Sequence, residues 1–253
     1  MRDTAETNAY APHFVHGADR QAGWLVTCDH ASNTVPPSVG GGTLGLPDED
    51  MARHIAYDVG AAGVSRALAD ALGCSAVLSN FSRLVIDPNR GLDDPTLLMK
   101  IYDGSVIPGN RDADQVEKAR RVDAFYQPYH DAITAELARL PDAIVIAVHS
   151  FTPKLRARRP RPWHIGILHA DEGGFSSHLL DVLREEGDLC VGDNEPYAGH
   201  LPGDSVDRHA LQTGRHNTLI ELRHDLIETP EQQAEWGARL APLLRDAAQR
   251  MQG

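Results

Sequence analysis

Two histidines stand where apolar runs give out. His30 closes Trp24-Leu-Val-Thr-Cys-Asp-His, and His149 closes Ala143-Ile-Val-Ile-Ala-Val-His. Short apolar runs of this kind predict strands, and in an alternating α/β chain ligands bind beyond the strand ends at one edge of the sheet. Two imidazoles delivered there from separate strands could hold one metal ion. A third run, Asn217-Thr-Leu-Ile-Glu-Leu-Arg, puts Glu221 in a similar strand context. Two histidines and a carboxylate converging on one sheet edge are what a hydrolytic zinc site requires.

Zinc in such a site commonly takes a third protein ligand. Asp48, Glu49, Asp50 and Asp58 follow the first strand and are the carboxylates at hand. The first three cluster where a helix should begin, and capping with dipole compensation accounts for them equally well. Asp58 lies beside Val59 and Gly60, inside the predicted helix, where aspartate is a poor helix former. It is either functional or solvent-facing. Glu221, flanked by Leu219, Ile220 and Leu222, is either on a solvent face or held at a site. Burial would raise its pKa and suit it to general base and then general acid work. Arg223, two residues on, would share its strand face and counter that shift.

An arginine-bearing stretch, Ser82-Arg-Leu-Val-Ile-Asp-Pro-Asn-Arg90, alternates polar residues through an apolar run. Arg83, Asp87 and Arg90 are candidate anchors for a carboxylate, which guanidinium grips in a bidentate fork. An Arg–Asp pair holding a turn would look the same. The basic loop Lys154-Leu-Arg-Ala-Arg-Arg-Pro-Arg161 adds either positive potential or only solvated charge. No nucleophile elbow, phosphate loop or H-E-x-x-H motif competes.

The elements that must position these residues alternate. Strands are expected at 24–28, 76–78, 84–86 and 163–168, and in the runs ending at His149 and containing Glu221. Helices are expected at 48–72, 113–140 (with a break where Pro128 removes a donor), 175–186 and 230–251. Residues 88–112 and 192–203 read as loops, and residues 1–22 as a polar arm ahead of a single α/β domain at 23–253. This alternation predicts a central, mixed but mostly parallel sheet with helices on both faces. The net charge of −12 argues against nucleic-acid and anionic-membrane partners. No apolar stretch is long enough to span a bilayer. The N-terminus lacks an apolar signal core, so a cytoplasmic location is expected. Cys28, Cys74 and Cys190 are too scattered for a disulfide framework or a cysteine zinc site.

Taken together, Asp29-His-Ala-Ser-Asn-Thr-Val-Pro36, His54-Ile-Ala-Tyr-Asp-Val-Gly60, Ser82 to Arg90, Ile107-Pro-Gly-Asn110, Pro128-Tyr-His130, His149-Ser-Phe-Thr-Pro153, Arg161-Pro-Trp-His-Ile-Gly166, Gly192-Asp-Asn-Glu-Pro-Tyr197 and Ile220-Glu-Leu-Arg-His-Asp-Leu226 resemble the N-formylglutamate amidohydrolase family. The resemblance implies a zinc-carboxypeptidase-like fold and one Zn2+ per chain. It also implies hydrolysis of N-formyl-L-glutamate, a small anionic N-acyl amino acid, to formate and L-glutamate, the last step of one route of histidine breakdown. By position His30 and His149 match the metal histidines. Asp58 is favoured as third ligand over Asn33, which stands where an H-x-x-E pattern would place an acid, and over Asp50. Glu221 matches the catalytic glutamate, and Asn89 with Arg90 an Asn-Arg pair that grips a substrate carboxylate, with Arg83 and Arg223 as further candidate contacts. Where dedicated histidine-degrading members carry Pro-His-Asp-Gly, this chain carries Asp29-His-Ala-Ser. The alternatives are an amidase for another N-acyl amino acid or a cell-wall peptide, and a non-catalytic homologue that binds a small acid.

Overall fold

Strands buried on both faces carry near-continuous apolar sequence, and they form where helices cover both sides of a mostly parallel sheet. The computed structural model describes residues 10–170, 174–199 and 201–253. Its strands are β1 (His13–His16), β2 (Trp24–Cys28), β3 (Ser75–Ser79), the hairpin β4 (Ile101–Tyr102) and β5 (Ser105–Val106), β6 (Ile144–Phe151), β7 (Ile165–Leu168), β8 (Val191–Asp193) and β9 (Asn217–Arg223). Apart from the hairpin they form one seven-stranded sheet in the order β1-β3-β2-β6-β9-β7-β8. Strands β3, β2, β6 and β9 run parallel. β1 is antiparallel to β3, and β7 to β9. The expected mixed, mostly parallel sheet is present.

Side-chain alternation along the strands divides the core in two. On one face Val26, Cys28, Ile146, Val148 and Ile220 pack with residues of α2 (Ala61–Leu72), α5 (Phe175–Glu185) and α7 (Pro230–Gln252). On the other, Leu25, Val145, Ala147 and Leu219 meet Phe81, Leu84 and α4 (Gln127–Arg139). His149 and Glu221 continue the parity of Ala147 and Leu219. They face the α4 side as direct neighbours in the β6–β9 register.

Several expectations change, and the stretches read as loops at 88–112 and 192–203 carry the hairpin β4–β5 and the end of β8. The helix expected at 48–72 is two helices, α1 (Asp48–Met51) and α2, separated by turns. Gly60 breaks it: its φ is +79°, and a Cβ there would meet the Ile227 carbonyl oxygen at 2.1 Å. Asp58 therefore sits in the turn that enters α2 and not inside a helix. Residues 84–86, expected as a strand, lie in turns, because Arg83 and Asp87 at either end are drawn into one buried ion pair. The segment read as an arm supplies β1, whose Phe14 and Val15 pair with Leu78 and Val77; residues 1–9 of that arm lie outside the described residues. Finally, β6 continues two residues beyond His149 to Phe151.

The helix expected at 113–140 is broken ahead of Pro128, into α3 (Gln115–Arg121), a π-helical turn at Val122–Tyr126, and α4. A proline ring clashes with the carbonyl four residues back, here Ala124, so the widened turn falls at that point. The terminal helix α7 starts at a capping box between Thr229 and Gln232, with Pro230 at its first position. A short helix, α6 (Ser205–His209), precedes β9.

Candidate active site

The parallel strands β2, β6 and β9 end at one edge of the sheet, and their polar residues gather there. His30 follows β2 by two residues, His149 lies near the end of β6, and Glu221 is its neighbour on β9. Asp58 reaches the same point because its turn is tied down from two sides. Its N–H donates to the His30 carbonyl (2.9 Å), and Ser150 Oγ donates to the Val59 carbonyl (2.8 Å). All four side chains are buried.

Each histidine is held from behind by a second carboxylate. His30 Nε2 donates to Asp87 Oδ1 (2.7 Å) and His149 Nε2 to Asp29 Oδ2 (3.0 Å). With both Nε2 atoms committed as donors, the Nδ1 atoms of neutral rings present lone pairs, and both lie against Asp58 Oδ2, at 3.3 Å from His30 and 2.8 Å from His149. Three acceptors turned on one point repel unless a cation sits among them. In the protein alone that cation is a proton: burial pushes His149 down, but hydrogen bonds to Asp29 and Asp58 hold its pKa well above the ordinary value. Against the same burial, His30 and His149 hold the Asp58 carboxyl far below the usual range. A divalent metal satisfies all three acceptors without a proton. One atom from each of His30, Asp58 and His149 lies within 4.8 Å of the other two. Two imidazoles and a carboxylate, each imidazole backed by a carboxylate, are a zinc-type donor set with its outer partners.

Glu221 differs from the others. Its Oε2 is buried with no hydrogen-bond partner among the described residues. Burial, only partly opposed by His149, pushes its pKa up to about 7. A carboxyl in that condition can both take and release a proton near neutrality. Beside it the cleft is lined by Arg83, Asn89, Arg90, Tyr102 and Tyr197.

The remaining candidates are placed as follows. Arg83 lines the cleft but is spent on Asp87, to whose Oδ2 it donates from Nε (3.2 Å) and Nη2 (2.8 Å). Asn89 is buried and accepts from the Ser205 N–H at Oδ1 (3.2 Å). Arg90 donates to Thr96 Oγ1 and to the Asn89 carbonyl and has no carboxylate partner among the described residues. Arg223 does not reach the cleft: it pairs with Asp225 (2.8 Å) and reaches the Pro162 and Trp163 carbonyls, because it lies past the last core position of β9. Asn33 donates to the Met51 carbonyl and Asp50 pairs with Arg53, and neither joins the His30–Asp58–His149 cluster.

Asp29 was not singled out by sequence reasoning, although its place directly before His30 at a strand end was the available signal. Tyr197 was missed as well. Its hydroxyl accepts from Arg161 Nη1 (3.1 Å), whose guanidinium lies over the ring at 4.9 Å. The ring is partly exposed, and desolvation of the hydroxyl at the cleft, with the charge of Glu221 adding to it, raises the phenol pKa.

A mixed α/β sheet whose strand ends and one adjoining turn bring a His–Asp–His cluster with metal-ligand spacing and a lone protonatable carboxylate into one cleft has the donors and the base that hydrolases use. Residues 22–228 match the model of the N-formylglutamate amidohydrolase family, and the chain belongs to that family. It is 24% identical over 238 residues to an N-formylglutamate deformylase of Pseudomonas aeruginosa, covering 85% of each protein. It is 24% identical over 217 residues to an N-formylglutamate deformylase of Pseudomonas putida, covering 78% of each. A solved gene product from Agrobacterium tumefaciens matches with a TM-score of 0.90 and 33% identity over 96% of this chain and 97% of that one. The N-formylglutamate amidohydrolase from Ralstonia eutropha matches in fold, with a TM-score of 0.63 and 20% identity over 93% of this chain and 99% of that one.

Proposed function

We propose that the chain hydrolyses the amide of N-formyl-L-glutamate to formate and L-glutamate, with a divalent cation, zinc by its donor set, held by His30, Asp58 and His149. The observation that carries this reading is the unpartnered, buried Oε2 of Glu221 beside that cluster. Family membership and the two deformylase relatives support the choice of substrate. A cation bound there would supply Lewis acidity, lowering the pKa of water and polarising the formyl carbonyl.

The chain's own residues supply the rest. Glu221 takes a proton as water attacks the formyl carbon, then gives it to the amide nitrogen as the C–N bond breaks. Tyr197 is the candidate donor to the carbonyl oxygen as negative charge develops, since Arg161 already fills an acceptor position on its hydroxyl. Arg90 and Asn89 orient the substrate by a carboxylate, which holds the scissile bond over Glu221.

Formate release by metal-loaded protein tests the reading. The wild type should release formate from N-formyl-L-glutamate, chelation should abolish release, and Glu221→Gln should lower kcat by about 10²–10⁴-fold while retaining the metal. Equal activity in the variant would remove Glu221 from the chemistry.

One observation favours a second substrate within the same chemistry. Arg83 is occupied by Asp87, so Arg90 is the lining guanidinium left without a carboxylate partner among the described residues. An N-acyl amino acid with a single carboxylate needs no second cation. Turnover of N-formyl monocarboxylic amino acids above that of N-formyl-L-glutamate would select this alternative.

A further inference from the structure

The Pro128-Tyr129-His130 stretch takes no part in the proposed chemistry, yet both residues after the proline are fully buried. Tyr129 Oη donates to Asp29 Oδ1 (2.8 Å). Since Asp29 Oδ2 is the atom that receives His149 Nε2 (3.0 Å), the phenol and the imidazole fix opposite oxygens of one carboxylate. His130 Nε2 donates to the Pro88 carbonyl (3.1 Å). Pro88 lies between Asp87, which holds His30, and Asn89, which lines the cleft. The carbonyl can only accept, so neutral His130 must present Nδ1 as an acceptor, and His209 Nε2 on α6 donates to it (2.8 Å). Tyr126 adds a third attachment: its hydroxyl donates to the Arg90 carbonyl (2.9 Å).

Tyr126, Tyr129 and His130 stand at i, i+3 and i+4, one face of a helix. Tyr126 closes the widened turn at Val122–Tyr126, and Tyr129 and His130 continue the face in the first turn of α4. We infer that this helical face, running from the end of the widened turn into α4, is a positioning platform with two separable arms. Tyr129 aims the metal-holding His149 through Asp29, and Tyr126 with His130 sets the Asn89-Arg90 segment that meets the substrate. These are positioning residues, because none of their side chains lines the cleft. The inference rests on reading His30, Asp58 and His149 as a metal centre.

The two arms can be cut by deleting single oxygens. Zn2+ affinity of the full chain is measured by competition with a chromophoric chelator in wild type, Tyr129→Phe and Tyr126→Phe, with urea midpoints recorded for each. Outer partners of metal ligands typically contribute about 10–100-fold in affinity. Tyr129→Phe should weaken zinc by about tenfold, the low end of that range, whereas Tyr126→Phe should leave it within about twofold. At saturating zinc the KM for N-formyl-L-glutamate should show the reverse. Tyr126→Phe should raise it about fivefold, the size of one ordinary hydrogen bond, and Tyr129→Phe should leave it unchanged.

Equal loss of zinc affinity in both variants, or no loss in Tyr129→Phe, would overturn the platform, because a merely structural role would lower the urea midpoint without that split. Wild type that turns over nothing, while the zinc split persists, would sink the substrate reading and support the Tyr129 arm, and an unchanged KM in Tyr126→Phe of active protein would overturn the other arm.

Discussion

Arg83 and Arg90 belong to the same short stretch, yet the fold gives them opposite circumstances. Arg83 is buried, neutralises Asp87, and through it steadies His30. Arg90 is half-buried at the cleft with only hydroxyl and carbonyl partners. Their variants should therefore fail differently. Arg83→Met leaves the buried Asp87 carboxylate without its cationic partner, held only by the His30 and Asn89 N–H groups, and should destabilise the protein by about 3–5 kcal/mol, read from urea midpoints. Arg90→Ala should leave the midpoint unchanged and raise KM about ten- to hundredfold, the worth of a hydrogen bond to a charged group. An unchanged KM in Arg90→Ala would take that residue out of substrate recognition. The same stretch shows why single residues are ambiguous in a sequence: an anchor for substrate and an anchor for the fold were both legible, and burial decided which was which.

Elements convert these placements into a site, and the turn between α1 and α2 matters most. It carries Asp58 to the two histidines because Gly60 adopts a left-handed conformation under the Ile227 carbonyl. Gly60→Ala adds a backbone clash to that conformation. It should cost about 2–3 kcal/mol and weaken zinc binding by displacing Asp58. Gly73→Ala is the control: Gly73 also has positive φ, at +73°, but nothing lies within 4 Å of an added Cβ. It should cost about 1 kcal/mol and leave zinc affinity untouched. Denaturant midpoints and chelator competition on the two variants distinguish a turn that serves the site from one that only ends a helix. Equal zinc affinity in both would mean that Asp58 does not depend on this turn.

Across the whole molecule, burial of imidazole sets the acid limit. Burial pushes His130 down to about 3, and His209 and His54 down to about 4, while His13 and His224 shift in the same direction. Unfolded, each would titrate near 6.5. Between that value and about 4 the unfolded chain binds protons that the folded chain refuses, so stability falls as pH falls through this window. Glu221 and Asp204 work the other way, because their raised carboxyls keep protons that the unfolded chain loses, but they are two groups against five imidazoles. Metal-free protein should accordingly lose thermal stability steadily from pH 6.5 to 4. A flat melting temperature over that range would contradict neutral burial of these histidines. Charge has a second consequence at this scale. The net charge of −12 repels an anionic substrate. Lys154, Arg156, Arg158 and Arg159 are exposed on the loop that leaves β6 just past the cleft residues, a local excess of positive charge. No helix among the described residues is long and apolar enough to cross a membrane.

The amino-acid order by itself determined the apolar strands β2, β3, β6, β7 and β9, the long terminal helix, and the histidines and glutamate at strand ends. Those features follow from local periodicity and from the burial that apolar runs demand. It also placed Asp58 and Arg90 among the candidates by residue type and context, and Asn89 through the family resemblance. Tertiary structure alone decided that Asp58 sits in a turn against both Nδ1 atoms, that Arg83 is consumed by Asp87, and that Arg223 turns away from the cleft. It alone brought Asp29, Tyr129 and His130 behind the ligands from segments about a hundred residues apart. Hydrogen bonds between such distant segments leave no periodic trace in a chain. They exist only once the sheet has brought its strand ends to one edge and α4 has packed across that face.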